Sequence, residues 1–182
     1  MHGSLDRRQL TELLDDLSRR LRRVGVRANV YVVGGAAMTL AYRRDRTTHD
    51  IDARIDSGHS ATAHAVREIA RERGLPESWL NEQAISYMPR EADARAPTLY
   101  NSPYLVVTGA SAEHMLAMKL ESGRNTDRQD VEILLGHLEI RDPDEAARIH
   151  ERLFPDSTRK EDVGRLLRDL LGAREASGAS CR

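Results

Sequence analysis

Two glycines close an apolar strand, and two aspartates follow one residue apart on the next, in "VYVVGGAAMTLAYRRDRTTHDIDARI" (Val30–Ile55). No other stretch constrains the fold as tightly. Aspartate is a poor strand former, and neighbouring acids repel each other. Strand residues i and i+2 point the same way, about 7 Å apart along the chain. Asp50, Asp52 and Arg54 therefore share one face of a strand, and Ile51, Ala53 and Ile55 share the other. "NVYVVGG" reads as a buried strand followed by a tight turn, and "AAMTLAYRR" as a helix over about 36–43.

Elsewhere the hydrophobic period assigns the elements. Leu10, Leu13, Leu14, Leu17, Leu21 and Val24 mark an amphipathic helix over about 5–23. Its other face carries Arg7, Arg8, Arg19, Arg20, Arg22 and Arg23, a solvated face or, alternatively, a contact for phosphate backbone. A helix over 60–73 ends at Gly74 and Pro76, and a short helix over 76–85 carries Trp79. Strands are expected near 98–100 and 104–108. Beyond Ser111 the pattern is helical: "AEHMLAMKLESG", then "DRQDVEILLGHLEI" with Thr126 and Gln129 as a capping box, then 143–153 and 159–173. The fold class expected is α/β (α+β), a small mixed sheet flanked by helices and followed by a helical subdomain. Its divisions are a core over 1–110, a helical subdomain over 111–175 that completes the site, and a disordered tail over 176–182.

Composition narrows the function classes. The 182 residues carry a net charge of −1, so bulk charge does not advertise nucleic-acid binding. Lys119 and Lys160 are the only lysines, which draws attention to each. The single cysteine, Cys181, precludes an internal disulfide framework and is a poor nucleophile candidate in a loose tail. The opening residues lack a signal-peptide core, and no apolar run is long enough to span a bilayer, so a cytoplasmic protein is expected. The seven histidines form no metal spacing, and His49 is read as structural.

The acid pair alone reads as a charged edge strand. A strand–Gly-Gly–helix junction changes the balance. It lets a phosphate approach the backbone, and a helix N-terminus offers N–H groups and a positive dipole end. Gly34 and Gly35 beside Asp50 and Asp52 would grip a nucleoside triphosphate, with Mg²⁺ (or Mn²⁺) on the carboxylates. Lys119 lies inside the apolar stripe of Ala112, Met115, Leu116 and Leu120, where it must snorkel or find an anion. Triphosphate oxygens are the preferred anion. Asp130 sits at the edge of the Val131, Leu134, Leu135, Leu138 stripe, and Asp127 nearer its middle. Complementing the helix N-terminus is a sufficient role for Asp127. Arg124 and Arg128 flank as possible phosphate ligands.

"VVGGAAMTLAYRRDRTTHDIDARI" resembles the signature of the polymerase-β-like nucleotidyltransferases: a strand, G-G or G-S, a short helix, then D-h-D-h on a neighbouring strand. "LAMKLESGRNTDRQDVEIL" resembles a second segment, a lysine on a helix followed by R-x-x-D-x-x-D, found in bacterial toxin nucleotidyltransferases of the AbiEii/Men type. Together the segments cover under half of the chain. The resemblance implies catalytic roles for Asp50, Asp52, Lys119 and Asp130, with an NTP as substrate. It implies a tRNA 3′ end as acceptor and a cognate antitoxin as partner. It also implies silencing by modification of a hydroxyl near the aspartates, here Thr39, Thr47 or Thr48. Arg43, Arg44, Arg46 and the arginines of the first and C-terminal helices would hold the RNA backbone. One departure stands: a third strand acid is common in the superfamily, and "LYNSPYLVVTGA" offers none. The alternatives are transfer to a small molecule such as an aminoglycoside, transfer to a protein hydroxyl, and an inactive nucleotide- or partner-binding module.

Overall fold

A computed structural model describes residues 4–42 and 45–179. The chain forms two compact units, Met1–Met88 with Ala94–Ser111, and Pro89–Asp93 with Ala112–Arg182.

The first unit is a five-stranded mixed sheet with helices. Its strands are β1 (Ala28–Val32), β2 (Ile51–Ser57), β3 (Leu80–Asn81), β4 (Thr98–Asn101) and β5 (Leu105–Gly109), in spatial order β3-β2-β1-β5-β4. β1 pairs antiparallel with β2 and parallel with β5; β3 runs parallel to β2, and β4 antiparallel to β5. The apolar face of β2 is the one predicted, with Ile51 and Ala53 fully buried.

Helix α1 (Arg7–Arg23) starts later than expected. Asp6 forms a capping box with Gln9, which consumes the N–H groups that an earlier start would need. Val24 falls outside the helix and is 63% exposed, although it fits the stripe. The basic face is not uniformly solvated. Arg20 is buried and pairs with Asp16 and with Glu68 and Glu72 of α3 (His59–Arg73), which fastens α1 to α3. Burial opposes its charge, but the hydrogen bonds to Glu72 and Glu68 outweigh that and raise the Arg20 pKa.

Two other expectations are corrected in this unit. After the turn, α2 (Gly34–Ala37) is a single α-turn, and Met38–Tyr42 continues as a π-helix. Thr39 Oγ1 donates to the Gly35 carbonyl at 3.0 Å, a back-bond that competes with the regular ladder. Residues 76–85 are not a helix. The Trp79 carbonyl accepts from Ile51 N–H at 2.7 Å and its indole N–H donates to Val66, which draws the segment to the sheet edge as β3. A 3₁₀ turn, Gln83–Tyr87, follows. Arg43 and Arg44 lie outside the described residues.

The second unit is helical: α4 (Ala112–Ser122), α5 (Arg128–His137), α6 (Pro143–Leu153) and α7 (Lys160–Ala179). α4 packs on α5 and α6, and α6 on α7. Gly123 ends α4 with φ +58°. The Thr126–Gln129 box does not form. A 3₁₀ turn, Asn125–Asp127, precedes α5, and its N-cap is Asp127, whose side chain caps nothing because it is engaged elsewhere. α7 continues to Ala179, into the region read as a tail, and residues 180–182 lie outside the described residues. Among the described residues, no helix is long and apolar enough to cross a membrane.

Candidate active site

In the first unit, β1 delivers its C-terminal end against the acid strand. Val33 N–H donates to the Asp52 carbonyl at 2.9 Å. Gly34 follows with φ +64°, a conformation L side chains rarely adopt. A Cβ placed there would stand 3.1 Å from Asp52 Oδ2. The first glycine is thus needed twice, for its backbone and for the carboxylate that lies against it. At Gly35 a Cβ would stand 2.5 Å from Thr48 Oγ1. The second glycine makes room for a threonine.

Thr48 itself is strapped in place. Leu5 and Thr48 form an isolated antiparallel bridge, with Leu5 N–H to Thr48 carbonyl at 2.6 Å and Thr48 N–H to Leu5 carbonyl at 3.0 Å. Its hydroxyl donates to the Asp50 carbonyl at 3.1 Å. Asp50 precedes β2 in a bend, and both Asp50 and Asp52 are half-buried. Asn81 on β3 is the register partner of Asp52, and its Nδ2 reaches Asp50 Oδ2 at 3.4 Å. Asn81 also lines an open groove of about 240 Å³ beside α3, floored by Ile55, Val66 and Leu80. On the acid face Arg54 bonds Asp56 at 2.6 Å, which raises its pKa, and its guanidinium lies 4.9 Å from the centroid of the Tyr31 ring.

The second unit gathers a different set. Lys119 is buried, and its stripe position leaves Nζ facing two acids, Asp127 Oδ1 at 2.6 Å and Asp130 Oδ2 at 2.9 Å. Ser122 Oγ donates to the other Asp127 oxygen at 2.7 Å. The lysine has found its anion within its own unit, and Asp127 does more than complement a helix terminus. One ammonium between two buried carboxylates is a tight arrangement, because either acid alone would be costly to bury. Arg124 and Arg128 are exposed, and Arg128 leans toward Glu132 at 3.8 Å. Neither belongs to the Lys119 cluster.

The structure thus brings Gly34, Gly35, Asp50 and Asp52 together in one unit, and Lys119 and Asp130 together in the other. Of the candidate hydroxyls, Thr39 and Thr48 are buried and donate to backbone carbonyls, while Thr47 is exposed. Sequence reasoning missed Asn81, because β3 was hidden in an expected helix. It also missed the packing of Thr48 on Gly35, which has no local pattern. The Lys119–Asp127 pair was within reach, since both lie at apolar-stripe positions of consecutive helical segments.

The carboxylate pair fits a divalent cation of the Mg²⁺ type, which takes one or two protein carboxylates and fills its shell with water and phosphate oxygens. Among the described residues no cluster of three or more metal-binding side chains occurs, and Asp50 and Asp52 are the residues that would hold such a cation. No curated protein and no solved structure matches the chain. Residues 8–141, more than half of its length, match the family described as "Nucleotidyltransferase of unknown function (DUF6036)", and the chain belongs to that family.

Proposed function

We propose that this nucleotidyltransferase moves a nucleotide from an NTP to the 3′ end of tRNA, as the toxin of a toxin–antitoxin pair. The observation that carries the nucleotidyl-transfer core of this reading is the Asp52 carboxylate packed against the left-handed Gly34 turn. That contact sets an acid next to a backbone that a triphosphate can approach closely. Asp50 and Asp52 would hold Mg²⁺ (or Mn²⁺), which when bound supplies Lewis acidity and charge neutralisation to the phosphates. Gly34 and Gly35 leave the turn without protruding side chains. The acceptor hydroxyl oxygen bonds to the α-phosphorus, the bond to the bridging oxygen breaks, pyrophosphate leaves, and the hydroxyl proton passes to solvent. The resemblance gives Lys119 a catalytic role, and its ammonium is held by Asp127 and Asp130 within the second unit.

The tRNA acceptor and the antitoxin rest on the resemblance of the Lys119–Asp130 segment. A second reading, an inactive nucleotide-binding module, is favoured by β4 and β5, whose residues Thr98–Asn101 and Leu105–Gly109 include no third acid.

Labelled NTPs, Mg²⁺ and total tRNA test these readings together. Label on RNA that falls ~10²-fold or more in Asp52→Ala, with the fold retained, supports the proposal. Label on an aminoglycoside or on protein redirects the acceptor. Nucleotide binding with no label transferred anywhere selects the module. Full activity in Asp52→Ala overturns the mechanism.

A further inference from the structure

Asp50 lies outside the regular strand, in a bend, so backbone pairing alone does not orient its carboxylate. The side chain that reaches it comes from the edge of the sheet. Asn81 pairs in register with Asp52, and its Nδ2 lies 3.4 Å from Asp50 Oδ2. The amide has a defined sense. Its Oδ1 accepts the Gln83 backbone N–H at 3.0 Å, so the NH₂ end must face the other way. The same Nδ2 also donates to the Ser78 carbonyl at 3.2 Å, which uses its second hydrogen. Three contacts therefore lock one amide, and the group it turns toward Asp50 is a donor.

We propose that Asn81 is a positioning residue of the nucleotidyl-transfer site, a donor that holds Asp50 Oδ2 and leaves Oδ1 as the oxygen for a cation. The proposal rests on the reading of Asp50 and Asp52 as the metal-holding acids. Asn81 is not assigned as a third ligand, because its Nδ2, and not its carbonyl oxygen, is turned toward Asp50. A donor on one oxygen of a ligating carboxylate fixes its orientation, and removing such a partner weakens metal affinity about 10–100-fold.

Mn²⁺ titration of the full chain, read by the electron paramagnetic resonance of free Mn²⁺, separates the outcomes, with thermal melting as the check on folding. Asn81→Ala is expected to weaken Mn²⁺ binding about 10–100-fold with little change in Tm. Asn81→Leu keeps the side chain's size and shape but loses the donor. It is expected to bind Mn²⁺ no better than Asn81→Ala. Binding by Asn81→Leu as tight as by the wild type would mean that the donor does not position Asp50, and would overturn the assignment. Mn²⁺ binding that depends on Asp52 but is unchanged in Asn81→Ala would also overturn it, while leaving the function reading intact. Wild-type protein that does not bind Mn²⁺, or binding that Asp52→Ala does not alter, overturns the function reading itself.

Discussion

Gly34 and Asp52 are in contact such that a single added Cβ would come within 3.1 Å of a carboxylate oxygen. The turn and the acid strand are therefore one packed object, held further by Val33 N–H on the Asp52 carbonyl. Substitution at the glycine has two separable effects, one on the backbone and one on the acid.

Gly34→Ala is expected to lower stability by about 1–2 kcal/mol through the left-handed backbone, and to lower nucleotidyl transfer as the carboxylate is displaced. Gly74→Ala is the control. Gly74 has nearly the same φ, +65°, with nothing within 4 Å of an added Cβ. It should show the stability loss without the loss of transfer. Chemical denaturation and initial-rate assays on both variants check this. Equal activity losses would separate the acid from the turn.

Lys119 is expected to be essential to the second unit's stability, whatever its part in the reaction. Lys119→Met leaves Asp127 and Asp130 buried with their shared cation gone, at a cost of roughly 3–5 kcal/mol. Lys119→Met/Asp127→Asn/Asp130→Asn removes the charges together and should recover most of that loss. Denaturation curves measure the recovery. The folded triple variant is expected to remain inactive, and wild-type turnover in it would end the catalytic role assigned to Lys119.

Stability should also fall at high pH through Tyr100. Burial, and then the hydrogen bond to Asp15 Oδ1 at 2.8 Å, raise its phenol above the ordinary value of 10.0. Below pH 10 both folded and unfolded chains keep this proton, so the contribution is constant. Above it the unfolded chain loses the proton first and is favoured, until the folded-state pKa is passed. Tyr100→Phe should be less stable at neutral pH by ~0.5–1 kcal/mol. Its deficit should shrink as pH rises past 10. Urea unfolding at pH 8 and above tests the sign; a deficit that grows would refute it.

The elements that could be read from the chain were those whose pattern is local. The leucines of α1 recur at helical spacing, β2 alternates acid with apolar residue, and the lysine inside the α4 stripe stands out because period alone makes it anomalous. Where the pattern was too short the reading failed. β3 has two residues, too few for any period, and it exists because Trp79 and Ile51 share a backbone bond across the sheet edge. Thr39 and the π-helical turn failed for a related reason, since a side chain there competes with the backbone ladder.

By itself the sequence determined which side chains share a face: Asp52 and Arg54 of β2 on one side, with Asp50 just before the strand in a bend, the lysine in its apolar stripe, and the glycines at the end of β1. Covalent spacing and the two regular periods suffice for that. Only the tertiary structure decided what those groups touch. Asp52 meets Gly34, Thr48 fills the space at Gly35, Asn81 turns its amide to Asp50, and Lys119 lies between Asp127 and Asp130. Such contacts depend on strand register, turn geometry and the packing of separate helices, which no window of sequence encodes.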